Sequence, residues 1–206
     1  MCIQSVRYSR QNISCLSMRA IALLMRITTV ENLSGYLRER TKPSEEKIFL
    51  EEIHDQGNWI QFIKFVKAQD SISLELQEAF HLMWIERGHF IRNKIGNDEK
   101  LLELISVMLP KYNGEAITVY RGENETRFND GMIGFCWTTS KDVAKKFGCG
   151  LNACQARGLL LQANAPASAI LAGIHWHSIY LGEYEVTANP AMLEDIQIIE
   201  IYPASH

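Results

Sequence analysis

Three short stretches of this chain hold residues whose types and spacing could do chemistry: Arg121 in "VYRGEN", Thr138-Thr139-Ser140 in "GFCWTTS", and Glu183 with Glu185 in "GEYEV". Arg121 precedes Thr138 by 17 residues, and Thr138 precedes Glu185 by 47. An arginine's planar fork binds a phosphate through two parallel hydrogen bonds. Glu183 and Glu185 are two apart in a stretch that reads as strand, where i and i+2 share a face. Like charges there are mildly unfavourable unless something uses them. A fixed carboxylate can stabilise positive charge developing on a sugar as a glycosidic bond breaks. Each feature alone has a plainer reading: a surface ion pair for Arg121, a strand end and helix cap for the triplet, and a solvated strand face for the glutamates.

The elements that must position them fall into two halves. From Glu31 to about Leu109 the pattern is helical. Ser44 with following acids opens "EEKIFLEEIH". "NWIQFIKFVKAQ" puts Trp59, Ile60, Ile63 and Val66 on one side, and "SISLELQEAFHLMWIER" repeats Leu76, Phe80, Met83 and Trp84 at helical spacing. "NDEKLLELISVML", capped by Asn97 or Asp98, turns Leu101, Leu104, Ile105 and Met108 inward and stops at Pro110. After "KYNGE" the period changes. "AITVYRG" is a strand ending near Arg121, "MIGFCWTTS" follows, and "KDVAKKF" is a short helix capped by Ser140. "RGLLLQANAP", "SAILAGI", "EYEVTA" and "IQIIEIYP" read as further strands or short elements. Helices followed by strands, without βαβ alternation, make an α+β pattern.

The 206 residues suit one domain, or a small domain with an appendage, and 47% hydrophobic content supports a core. A net charge of −3 gives no global basic field to recruit nucleic acid. Cys2, Cys15, Cys136, Cys149 and Cys154 are odd in number and irregularly spaced, and read as reduced thiols of a cytosolic protein. Residues 1–30 carry Arg7, Arg10, Arg19 and Arg26 before the first acid, Glu31, and read as a disordered or targeting segment. The run "AIALLM" within them is too short to span a bilayer. His175 and His177 with Cys149 and Cys154 form a possible Cys₂His₂ zinc set, but its two halves fall in different elements.

Taken in order, "YRG", "GFCWTTSKDVAKKFG" and "EYEV" resemble the motifs of the mono-ADP-ribosyltransferases of the Arg–Ser–Glu class, which includes bacterial toxins and effectors. The resemblance runs roughly from Ala116 to Pro203, with "LLLQANAPASAIL" similar to the segment between the second and third motifs. It departs at Thr138, where the family has Ser; the hydroxyl is kept on a side chain stiffer at χ1.

The resemblance implies a split β-sandwich core (116–206) that binds NAD in a cleft between its layers, with an N-terminal helical part (31–110). It implies transfer of ADP-ribose from NAD, used as co-substrate without a metal, to a protein side chain, with release of nicotinamide. On that reading Arg121 and Gly122 hold the diphosphate side, Thr138 orients Glu185, and Glu185 stabilises the cationic ribose. Glu183 then receives the acceptor, arginine where this position is Glu, pairing with the guanidinium and taking its proton. "HWHSIY" would belong to the loop that meets the acceptor, with Trp176 or Tyr180 exposed. A monomer is expected, acting in the cytoplasm or in the cytosol of a host cell, without nucleic-acid or membrane binding. The alternatives are an NAD glycohydrolase on the same scaffold, with water as acceptor, and a non-catalytic interaction or inhibitor protein that keeps the fold.

Overall fold

The structure, a computed structural model, describes residues 42–204. The expected targeting segment at 1–30 and the start of the helical part at Glu31 lie outside the described residues. From Glu45 onward the chain is one compact unit.

Four helices come first: α1 (Glu45–Gln56), α2 (Trp59–Lys67), α3 (Leu74–Ile95) and α4 (Asp98–Met108). Asn97 caps α4 as expected, and α3 has a cap at Ser73 that the sequence reading did not name. The Ser73 side chain accepts from Leu76 N and that of Asn97 from Lys100 N, each satisfying an amide that the first turn leaves without a partner. In α2 the inward face is Trp59, Phe62, Ile63 and Val66, whereas Ile60 is exposed. The expected assignment of Ile60 to the core is therefore corrected to Phe62, three residues from Trp59. Helix α3 runs eight residues beyond the expected end at Arg87. It kinks there, where Arg87 takes φ −139°, and continues through Gly88. A Cβ on Gly88 would sit 3.2 Å from the Trp84 indole, so glycine lets that ring pack along its own helix. The helices bury Trp59, Phe80 and Trp84 almost completely, each worth roughly 2–3 kcal/mol of apolar transfer.

The remaining elements are β1 (Ile117–Asn124), α5 (Glu125–Asn129), β2 (Cys136–Thr138), α6 (Lys141–Cys149), β3 (Gly158–Ala165), β4 (Ile170–Ala172), α7 (Trp176–Leu181), β5 (Glu185–Ala188) and β6 (Glu194–Tyr202). The fold class is α+β. The strands form a six-stranded sheet in the order β4-β5-β2-β1-β3-β6, with every neighbouring pair antiparallel. The half β4-β5-β2 joins the half β1-β3-β6 through the pairing of Tyr120 with Thr138. Val119, Leu161 and Ala163 from one half and Trp137, Val186 and Ile170 from the other share a single buried cluster. The opposite face is covered by helices. There Phe135 and Ala172 join the helical core, and Trp84 Nε1 donates to Thr187 Oγ1 at 2.9 Å.

Strand β1 does not end near Arg121 but continues to Asn124. Gly122 permits this, because α6 crosses directly over it: a Cβ there would lie 2.2 Å from Gly148 N. "HWHSIY" is not a loop but the helix α7, and its N-cap is His175, whose Nδ1 accepts from His177 N. Among the described residues no helix is long and apolar enough to cross a membrane.

Candidate functional site

A cavity of about 440 Å³ opens at the seam between β1 and β2, walled by α3 and α6. Its lining includes Arg121, Gly122, Thr138, Glu183 and Glu185. All five residues picked out from the sequence thus meet at one place, and the register explains part of it. Glu185 pairs with Thr138, and Thr138 with Tyr120, so these positions share a sheet face at the seam.

Arg121 is held rather than free. Its Nε donates to Glu123 Oε2 at 2.7 Å and its Nη1 to the backbone oxygen of Cys136. Its Nη2 has no hydrogen-bond partner among the described residues, and the side chain is 13% exposed. Gly134 must stay small for this placement, since a Cβ there would lie 2.2 Å from Nη2. Glu123 has no exposure. It also accepts from the backbone amides of Asn124 and Gly134 and faces Arg127 at 3.6 Å. Burial pushes the Glu123 carboxyl up, but Arg121 and Arg127 together outweigh it and hold it below the usual range. Arg92, Arg127 and His89 line the same cavity. Burial, then Arg127, Arg121 and Arg92, lower His89, which is therefore neutral near pH 7.

The two glutamates do not share a strand. Strand β5 begins at Glu185, whereas Glu183 lies in the turn after α7, between Gly182 at φ 71° and Tyr184 at φ 50°. The turn is fixed from both sides. Ser178, fully buried in α7, accepts from Glu183 N with its backbone oxygen at 2.9 Å and from Glu185 N with its hydroxyl at 2.6 Å. The left-handed backbone at Tyr184 is an uncommon conformation for a bulky residue, of the kind found where a site dictates geometry. Both carboxyls reach the cavity, by way of this turn rather than by strand alternation.

Thr138 is not seen orienting Glu185. Its hydroxyl donates to the backbone oxygen of Glu183 at 2.6 Å and accepts from Ser140 N at 3.1 Å. The side chain placed to act on the Glu185 carboxyl is that of Cys136, two pairs away on the same ladder and on the same sheet face. Glu185 Oε1 is buried with no hydrogen-bond partner among the described residues. Burial raises the Glu185 carboxyl to about 8, with Glu183 adding to the rise and Cys136 and Arg121 opposing it. Burial also raises Glu183, against the pull of His177. The cavity therefore joins a guanidinium with one free amino group, two further arginines, and two carboxyls that hold their protons more tightly than usual. Such a site can take an anionic group at one end and stabilise a cation at the other.

Sequence reasoning missed Glu123, Cys136, Ser178 and Arg127. Glu123 was within reach, because i and i+2 on a strand share a face and it follows Arg121 at that spacing. Ser178 and Cys136 carry no local signal.

The possible zinc set does not assemble. His175 bonds Glu78 at 3.0 Å and His177 pairs with Glu86 at 3.3 Å, both across to α3, while Cys149 and Cys154 are exposed free thiols. Among the described residues no group of three or more His, Cys, Asp or Glu could hold a metal ion. Trp176 and Tyr180 are exposed, at 59% and 80%. Compared with protein-family models, curated proteins and solved structures, the chain matches none of them.

Proposed function

We propose that the protein is an NAD-dependent mono-ADP-ribosyltransferase that modifies a protein side chain, with arginine the favoured acceptor. The observation that carries this reading is the convergence of Arg121, Glu183 and Glu185, far apart in the chain, on a single cavity. The split β-sandwich of that enzyme class is the finer fold we propose, and the shared core of the two half-sheets supports it. Arg121 offers Nη2 to the diphosphate, with Arg127 beside it. Glu185, ionised, faces the ribose as the nicotinamide bond breaks and positive charge spreads over the sugar. Glu183 meets the incoming guanidinium, pairs with it and takes the proton it loses on attack.

The test is nicotinamide release from NAD. Wild-type protein is expected to release it, Glu185→Ala to lose about 10²–10³-fold in kcat, and Arg121→Lys to raise KM through loss of the fork. Release that is unchanged in Glu185→Ala overturns the reading. Glu183→Gln then separates transfer from hydrolysis: transfer to protein falls while nicotinamide release persists.

A further inference from the structure

Resting on that reading, we propose that Cys136 is the positioning residue for Glu185, the part that motif resemblance gives to the hydroxyl at position 138. Three observations support it. The hydroxyl of Thr138, the residue directly paired with Glu185, is spent on the Glu183 backbone oxygen and the Ser140 amide. Cys136 pairs with Thr187 two rungs along, so it lies diagonal to Glu185 on the same sheet face, a separation that a side chain can bridge. Both residues line the cavity, and the thiol acts on the Glu185 carboxyl to hold it lower than burial alone would.

The backbone oxygen of Cys136 also accepts from Arg121 Nη1. One residue of β2 therefore bears on both ends of the site, on the arginine through its main chain and on the acid through its side chain. A thiol is a weak donor. Contacts of this kind in unliganded sites commonly tighten only when substrate binds. Buried polar atoms are nearly always paired, so the lone Glu185 Oε1 needs an account. With the thiol steadying the carboxyl, Oε1 stays available for a donor brought by the ligand, such as a sugar hydroxyl.

The experiment compares wild type, Cys136→Ala and Cys136→Ser in two arms. The first titrates the free proteins by carbon NMR with labelled Glu, the Glu185 signal being assigned by its loss in Glu185→Gln. The groups that act on this carboxyl are Cys136, Glu183 and Arg121. Removing the thiol is expected to move the Glu185 midpoint to higher pH, and serine to bring it back. The second arm follows nicotinamide release. Cys136→Ala is expected to lower kcat about tenfold at pH 7.5 with KM for NAD changed less than twofold, and Cys136→Ser to restore it.

A Glu185 midpoint that is the same in Cys136→Ala as in wild type overturns the positioning role, with or without any NAD turnover. So does a kcat that is unchanged, or one that serine fails to restore. A midpoint that moves in a protein inert toward NAD supports the thiol–carboxyl pair and overturns the transferase reading instead.

Discussion

The hydroxyl of Thr138 donates to the backbone oxygen of Glu183 at 2.6 Å, tying the end of β2 to the turn that carries the Glu183 carboxyl. Thr138→Val keeps the shape and removes the donor. It is expected to cost about 1–2 kcal/mol of stability, because a partly buried acceptor loses its partner. Transfer to protein should fall more than nicotinamide release, since Glu183 loses its anchor while Glu185 keeps its own ladder position. Thr138→Ser should behave as wild type. Parallel assays of adduct formation and nicotinamide release check this.

The pH dependence follows from Glu185. Its carboxyl is raised from 4.5 to about 8 by burial, so in the free protein at pH 7 it is mostly protonated. On the proposed reading the active form is the ionised one, so kcat/KM for nicotinamide release should climb with pH and level off above about 8. Stability runs the other way. A carboxyl raised in the folded state contributes stability that is full below about 4.5 and lost as pH rises towards 8. Glu185→Gln should therefore raise Tm above the wild-type value by about 3 °C at pH 9 and differ little at pH 4. Thermal melts at the two pH values read this out.

Glu123 is the fixed counter-charge beneath the site. It has no exposure and faces Arg121 at 2.7 Å and Arg127 at 3.6 Å. Glu123→Ala leaves those guanidiniums without it and should cost about 3–5 kcal/mol, seen as a lower urea midpoint. Because its carboxyl is held below 4.5, the stability it gives is present above that value and lost as pH falls through the lower folded-state value.

Gly122 sits where α6 crosses β1. A Cβ at that position would meet Gly148 N at 2.2 Å and the Ala144 oxygen at 2.5 Å, all backbone, so neither side can yield by rotating a side chain. Gly122→Ala is expected to lose at least 3 kcal/mol or to fail to fold. Gly131, in open space at φ 69°, makes a control: Gly131→Ala should cost only about 1 kcal/mol through backbone strain. Denaturant melts of the two variants compare them.

Much of this was legible in the sequence where local physics decides. The caps at Asn97 and Ser140, the inward face of α4 and strand β3 follow from periodicity and capping chemistry. The extension of α3 past Arg87 was hidden because Gly88 reads as a helix breaker, and only its packing on the Trp84 ring explains its place. Glu183 and Glu185 were correctly read as neighbours, but for the wrong reason. Two apart suggested one strand face, whereas the left-handed Tyr184 places Glu183 in a turn that only the fold defines. Thr138 does not take its expected partner, and the place of Cys136 was hidden because a ladder register is a long-range fact: nothing within ten residues of Cys136 says that Glu185 lies diagonal to it.

The most direct test of the central claim is intact mass spectrometry of a protein lysate incubated with NAD and this protein. The account predicts ADP-ribose adducts on a protein in the wild-type reaction, mapping to arginine, and none with Glu185→Ala. Adducts made equally well by Glu185→Ala, or none with a wild-type protein that is folded and saturated with NAD, would contradict it.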